Sequence, residues 1–191
     1  MDDFGLNGVV FSTRPQTQDA TQNAVYDALD ALAISYVGVE HEPAGTIAQC
    51  QKIEDLLQAP VCKNLFLCNR QKTAFYLLVM PPDKPFYTRD ITAQIQSARL
   101  SFADGQQMQS HIGCQPGSAS IFGLLFDPDQ SVQLLVDEEL LQQQWLCFHP
   151  CRNTATLKLR TDDVLERFVS HCGHPIRYVT LARYEQDATN V

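Results

Sequence analysis

The sequence predicts a single compact α/β (α+β) domain with a mixed, largely antiparallel sheet flanked by helices. Three observations carry this reading. Apolar stripes of helical period and short alternating runs follow one another irregularly, without the strict strand-helix-strand order of a doubly wound sheet and without an internal repeat. Two strongly apolar runs stand close enough in sequence to pair as neighbouring central strands. No Pro/Gly/Ser-rich linker divides the 191 residues, so one domain is expected over 1–183, with 184–191 as a loose tail. A chain of this length buries roughly 70 % of the surface its unfolded form exposes and needs no disulfide or metal staple.

The elements follow in order. Over 16–34, Val25, Leu29, Leu32 and Ile34 recur at near-helical spacing, with Thr17 or Thr21 as the cap. Residues 35–42 alternate β-branched and aromatic residues with polar ones, which predicts a half-buried strand that stops at Pro43-Ala44-Gly45. A second helix is expected over 46–57, capped by Thr46, with Ile53, Leu56 and Leu57 inward and Pro60 as its stop. The two central strands are 64–68 and 74–80, and the polar stretch 69–73 has the length of a hairpin connection. Short helices at 88–98 and 104–111 lie beyond a proline-rich surface loop at 81–85. The segment 112–120, with two glycines, a proline and two serines, is a shaped loop. Strands are expected around 132–136, 145–148, 155–159 and 176–179, and a helix over 161–171.

Charge and composition exclude several classes of function. Fourteen basic against 22 acidic residues give a formal charge of −8 and a pI near 4.9. That argues against a broad nucleic-acid-coating surface, because non-specific binding draws on phosphates neutralised by Lys and Arg, although a small local patch is compatible with it. The acidic start Met1-Asp2-Asp3-Phe4 lacks the apolar core of a secretory signal, and no run approaches the roughly 18 apolar residues of a membrane span. A soluble cytoplasmic protein with neither membrane nor DNA as partner is therefore expected. There the seven cysteines (Cys50, Cys62, Cys68, Cys114, Cys147, Cys151 and Cys172) read as small core residues rather than a bridge framework. Cys147, His149 and Cys151 alternate, and His171, Cys172 and His174 cluster. Neither set has the paired C-x-x-C spacing of structural zinc, and Pro150 interrupts the first, so no metal site is expected. Motifs for nucleotide phosphates, dinucleotides, a serine-hydrolase elbow and a zinc protease are missing from the sequence.

Three places remain where chemistry can sit. Lys63 starts an apolar strand, where an ammonium either faces a pocket or snorkels out to solvent. The loop 113–120 either offers consecutive backbone N–H groups and hydroxyls to a carbonyl or phosphate oxygen or is a plain tight turn. His149, at a strand end before Pro150, Asn153 and Thr154, is either a hydrogen-bonding or proton-transfer group or a satisfied core histidine.

Taken in order, four strings resemble the YbaK-like family, which comprises the editing insertion domain of bacterial prolyl-tRNA synthetases and its free-standing relatives. They are Cys62-Lys63-Asn64-Leu65-Phe66-Leu67, Ser97-Ala98-Arg99-Leu100-Ser101-Phe102-Ala103, Gly113-Cys114-Gln115-Pro116-Gly117-Ser118-Ala119-Ser120, and Cys147-Phe148-His149-Pro150 with Asn153 and Thr156. The resemblance covers roughly 21–179 and is strongest to the free-standing deacylases that hydrolyse alanine mischarged onto tRNA(Pro). It implies a compact α/β fold with a small pocket and a lysine, at Lys63, central to editing beside Asn64. It also implies that the loop carrying Gly113 and Pro116 lines the aminoacyl pocket; the chemistry of ester hydrolysis then leads us to expect backbone N–H groups near Gly117 and Ser118 to stabilise the tetrahedral oxyanion. A histidine matching His149 holds substrate, with Asn153 nearby, and Arg99 is placed near the tRNA acceptor end; the scarcity of cations on this acidic chain leaves Arg89 or Lys84 as the helpers expected beside it. The implied partners are the acceptor end of tRNA(Pro) and prolyl-tRNA synthetase; no cofactor is implied. Cys114-Gln115 and Cys151 depart from the family pattern and bear on pocket volume, hence on which amino acid is removed. A Cys-tRNA(Pro) or Ser-tRNA deacylase is the neighbouring reading within the enzyme class, and a non-catalytic aminoacyl-tRNA binding module is the one outside it.

Overall fold

The central strands are covered on both faces, and this is why their sequences read as continuous apolar runs rather than alternations. They belong to a computed structural model that describes residues 10–44 and 47–183. Strand β1 (Val10–Phe11), helix α1 (Ala20–Ala31), strand β2 (Val37–Glu40) and helix α2 (Ile47–Leu57) lead into β3 (Lys63–Asn69) and β4 (Phe75–Met80). Helix α3 (Thr88–Thr92), β5 (Leu100–Phe102) and α4 (Gly105–Ile112) follow, then a 3-10 turn (Ile121–Phe126), β6 (Val132–Asp137) and a second 3-10 turn (Glu138–Gln142). Strands β7 (Trp145–Phe148) and β8 (Ala155–Arg160) precede a π-helical stretch (Asp163–Phe168) that runs on into α5 (Val169–His171), and β9 (Ile176–Val179) closes the order.

The strands divide into two sheets, where one was expected. The larger has the order β5-β3-β4-β6-β9, antiparallel from β5 to β4 and parallel from β4 through β6 to β9. The smaller, β1-β2-β8-β7, is antiparallel throughout. The mixed, mostly antiparallel α/β character therefore holds. The division arises because the β7–β8 hairpin finds its partner in β2, over 100 residues earlier in the chain, a pairing no local pattern reports.

Alternate residues of the larger sheet feed separate cores. Phe66, Phe75, Leu77, Val79, Leu134 and Val136 pack with Val25, Tyr26 and Leu29 of α1 in the main core. Leu67, Tyr76, Leu78, Met80 and Leu135 face the other way, toward Ile91 and Ile95. A third cluster sets Ile53 and Leu57 of α2 against Val39, Val61 and Cys147, while Leu56, expected inward, is 38 % exposed because Ile53 and Leu57 alone complete the buried stripe. Helix α1 is capped by Asp19, whose carboxylate accepts the Gln22 N–H at 2.9 Å; Thr17 instead accepts the Asp19 N–H at 3.1 Å. The Thr46 cap and the 184–191 tail lie outside the described residues. Among those described, no helix is long and apolar enough to cross a membrane.

One feature of the topology positions the site. Val61 bridges Cys147 in parallel, the Cys62 N–H donates to the Cys147 carbonyl at 3.0 Å, and the Cys147 N–H donates to the Pro60 carbonyl at 2.9 Å. These bonds stitch the entrance of β3 to β7. They bring Lys63 and Asn64, at the head of one sheet, to the end of the other sheet where His149 leaves it.

Candidate active site

A cavity of about 790 Å3 opens at this seam. One wall is the start of β3, from Cys62 to Phe66; another is the loop after α4, with Pro116, Gly117 and Ala119; His149 closes a third side, and Asp83 and Phe102 stand at the rim. Mostly apolar walls with a few inward polar groups are the usual form of a small-molecule site.

Lys63 is exposed at the cavity, and its ammonium donates to the Lys84 carbonyl at 2.9 Å. Partial burial pushes its pKa below the usual lysine value, opposed by the nearby Asp83 carboxylate. Lys84 itself cannot help to hold RNA. It is 3 % exposed, and its ammonium is spent on both Asp137 oxygens at 3.0 and 2.8 Å, on Glu139 at 3.0 Å and on the Leu181 carbonyl at 3.0 Å. Its side chain pins the proline-rich 81–85 loop to the end of β6, and its carbonyl then steers Lys63.

Asn64 donates through Nδ2 to the Cys62 carbonyl at 3.0 Å, which fixes the amide orientation. Its buried Oδ1 has no partner among the described residues. An unpaired buried acceptor costs about 1–3 kcal/mol, so this oxygen stands ready for a donor entering the cavity.

The loop is built differently from the expectation. Gly113 is the left-handed C-cap of α4 at φ +63°, where a Cβ would lie 2.8 Å from the Phe126 ring; it ends the helix and does not line the cavity. Ser118 is buried and closes the turn on Gln115: its N–H donates to the Gln115 carbonyl at 2.9 Å, and its hydroxyl accepts the Gln115 N–H at 3.0 Å. That amide is therefore not available to an oxyanion. Gly117 (φ +85°) and Ala119 do line the cavity, and neither N–H has an acceptor among the described residues. Asn153 sits behind the loop, its Nδ2 3.8 Å from where a Gly117 Cβ would stand, and is outside the lining. Arg152 braces the assembly, donating to Asp19 at 2.8 Å, to Thr21 at 2.9 Å and to the Gly113 carbonyl at 3.3 Å.

His149 lines the cavity, and its Nδ1 lies 3.0 Å from the Ala155 carbonyl and 3.2 Å from the Thr156 hydroxyl. Burial drives its pKa down to about 4, assisted by the neighbouring His41 ring, whose centroid is 5.9 Å away. The Ser120 hydroxyl donates to the His149 carbonyl at 2.6 Å and ties this residue to the glycine loop. Cys147 and Cys151, which alternate with His149 in sequence, lie in different apolar clusters; no group of three or more His, Cys, Asp or Glu among the described residues could hold a metal ion.

The structure thus gathers Lys63, Asn64, Pro116, Gly117 and His149 around one cavity and leaves Gly113, Ser118, Asn153, Arg99 and Lys84 in other roles. Arg99 is exposed just before β5 and outside the lining, which Phe102 at the far end of that strand reaches instead. Arg89 packs on the Tyr87 ring at 5.1 Å and pairs with Asp90 at 3.6 Å, also away from the cavity. Sequence reasoning missed His41, Asp83, Ala119 and Phe102 as site residues. For His41 a signal existed, a lone histidine between two glutamates at the end of a half-buried strand.

Comparison with known proteins identifies the family. The family model described as "Aminoacyl-tRNA editing domain" matches residues 41–167. "Prolyl-tRNA editing protein ProX" of Acetoanaerobium sticklandii is 33 % identical over 163 residues, covering 85 % of this chain and 98 % of that protein. "Prolyl-tRNA synthetase associated domain-containing protein 1" of Bos taurus is 31 % identical over 155 residues, covering 79 % and 90 %. A solved structure described as a candidate trans-editing enzyme for prolyl tRNA synthetase shares the fold, with a TM-score of 0.64 at 13 % identity over 87 % of this chain and 100 % of that one. With a cavity that joins Lys63, Asn64, the glycine loop and His149, and with a family match across most of its length, the chain belongs to the aminoacyl-tRNA editing domain family.

Proposed function

We propose that the protein acts in trans to remove alanine mischarged onto tRNA(Pro), hydrolysing the ester between the amino acid and the terminal ribose. Membership of the editing family makes it an aminoacyl-tRNA deacylase, and the relatives named for prolyl-tRNA editing support that branch. One observation carries the finer reading. A single cavity presents an ammonium (Lys63), the uncharged acceptors Asn64 Oδ1 and His149 beside the carboxylates of Glu54 and Asp83, and two amides without acceptors among the described residues (Gly117 and Ala119). These are the groups needed to hold an aminoacyl ester by its phosphate side, its α-ammonium and its developing oxyanion.

In this reading Lys63 holds the terminal phosphate or the ester oxygens as a cation. Asn64 and His149 accept from the α-ammonium. The Gly117 and Ala119 amides stabilise the tetrahedral oxyanion, in place of the Gly117 and Ser118 pair expected from sequence. Water attacks the carbonyl carbon while the vicinal ribose hydroxyl takes part in proton transfer; the ester C–O bond breaks and the ribose oxygen leaves with a proton. The cavity exceeds what an alanyl group fills, and Phe102, 63 % exposed at its rim, offers a face on which the terminal base stacks. Editing is needed because alanine is smaller than proline. A synthetase pocket gains only about 1–3 kcal/mol per methylene of difference, so a second pocket that admits alanine and excludes proline completes the sieve.

Multiple-turnover deacylation of a labelled panel tests this. Ala-tRNA(Pro) should be hydrolysed beyond one equivalent and Pro-tRNA(Pro) spared. Preference for Cys-tRNA(Pro) or Ser-tRNA would move the assignment to a sister specificity, and a stable complex without release would make the protein a binding module.

A further inference from the structure

The buried side of His149 carries a hydrogen-bond chain whose proton order can be read from the groups at its end. His41 Nδ1 lies 2.8 Å from the Glu42 carbonyl, which can only accept, so Nδ1 carries the proton. In the neutral ring Nε2 is then an acceptor, and the group 2.8 Å away is the Thr156 hydroxyl, which must donate to it. That hydroxyl has one proton, already used. Toward His149 Nδ1, 3.2 Å away, it can only accept, so His149 Nδ1 is also protonated. The Ala155 carbonyl at 3.0 Å from the same nitrogen independently demands the same tautomer. Thr156 is fully buried and His41 is 5 % exposed, so water does not compete for these bonds. His149 Nε2 has no partner among the described residues, is not sealed from solvent, and belongs to the cavity wall.

We propose that His41 and Thr156 are positioning residues that hold His149 in the Nδ1–H tautomer, so that Nε2 faces the cavity as an acceptor and the subsite takes a hydrogen-bond donor, the α-ammonium of the aminoacyl group. This rests on the aminoacyl ester reading above. With the opposite tautomer Nε2–H would point at the ammonium and repel it, so the relay, acting with the Ala155 carbonyl, decides which end of the substrate this wall accepts.

Long-range 1H–15N correlation spectra of the histidine side chains in the full chain test the first half without any substrate. The wild-type protein at pH 7 should show both His41 and His149 protonated at Nδ1 and bare at Nε2. His41→Leu, which frees the Thr156 hydroxyl to donate to His149 Nδ1 in competition with the Ala155 carbonyl, should move the His149 signals toward a tautomer mixture, whereas His41→Gln, whose amide oxygen can accept from Thr156, and Thr156→Val, which leaves the Ala155 carbonyl as acceptor, should hold them. On Ala-tRNA(Pro), His41→Leu should raise KM about three- to tenfold with little change in kcat, the net value of about one hydrogen bond, and His41→Gln should recover most of it. Selectivity for alanyl over des-amino propionyl esters should shrink by the same factor. Wild-type His149 protonated at Nε2 overturns the proposal, as does a folded His41→Leu variant that leaves the His149 signals and the alanyl/propionyl ratio unchanged. Should His41→Leu or Thr156→Val fail to fold, the wild-type spectrum and the folded His41→Gln variant still decide it. A protein that deacylates nothing in the panel would sink the proposed function while leaving the tautomer result standing.

Discussion

Replacing His149 by glutamine should flatten the acid limb of the stability curve. Burial lowers the imidazole pKa from its ordinary 6.5 to about 4, so the folded protein keeps the ring neutral where the unfolded chain protonates it. The sign follows from counting protons. Above pH 6.5 the ring is neutral in both states and contributes no pH dependence; between 6.5 and about 4 the unfolded chain binds a proton the folded one refuses, and stability is lost; below about 4 both are protonated and the loss levels off. At about 1.36 kcal/mol per pH decade, the total comes to about 3 kcal/mol. His41 is shifted in the same direction, and Asp127 and Glu139, held below the usual carboxylate range, add their own losses in acid. Asp127 and Glu139 remain in the variant and cancel in the comparison; His41, whose charge acts on His149, is relieved when that ring is removed, which shifts the difference in the same direction. Urea unfolding followed by circular dichroism at steps from pH 7 to pH 4 reads the difference directly. The stability of His149→Gln relative to wild type should rise by about 3 kcal/mol over that range. A difference that stays constant with pH would refute the buried neutral ring, and with it the acceptor role of Nε2 at working pH.

Lys63→Ala should lower kcat/KM on Ala-tRNA(Pro) by about a hundredfold or more with an unchanged circular dichroism spectrum. Lys63→Arg should not restore activity, because a planar fork replaces a compact ammonium seated on the Lys84 carbonyl. Lys84→Met should cost about 3–5 kcal/mol in urea unfolding, since Asp137, 1 % exposed, loses the cation that compensates its burial. Phe102→Ala should raise KM about five- to a hundredfold with kcat nearly constant, whereas Phe102→Trp keeps it low; equal KM values would remove the base from the rim. Deacylation should depend weakly on salt, with a log–log slope of kcat/KM near −1, because Lys63 is the one lysine or arginine lining the cavity among the described residues. A slope several times steeper would mean that a larger basic surface meets the RNA.

Elements whose signals are local were legible in the sequence. The 3.6-residue stripe of α1, the short helix expected over 104–111 and the unbroken apolar run of β4 each state their own conformation, and the β3–β4 hairpin follows from the length of its connection. What local patterns could not report is partnership. Whether 145–160 joins the 75–80 strand or β2 depends on which edge is open once the larger sheet has formed, and no residue in 145–160 encodes that choice alone. Strand β5 was invisible for a related reason: three residues with an exposed Phe102 read as a loop until β3 supplies their register.

The same distinction separates the predicted residues that reach the cavity from those that do not. Residue type announced that lysines, a glycine loop and a histidine carry chemistry, but the competing partner of each group decides whether its chemistry is free to act. Ser118 and Lys84 have the right donors, yet Gln115 takes the serine amide, and Asp137 with Glu139 takes the lysine ammonium. Lys63 and Lys84 make the point in one bond. Lys84 is neutralised by buried carboxylates and becomes structure, and the carbonyl it thereby fixes receives the ammonium of Lys63, whose charge is left facing the cavity. On a chain with a formal charge of −8, a cation aimed in this way can hold one phosphate without recruiting the rest of the surface. The acidic balance that weighs against broad nucleic-acid binding is therefore compatible with an enzyme that grips only the end of its RNA and lets it go.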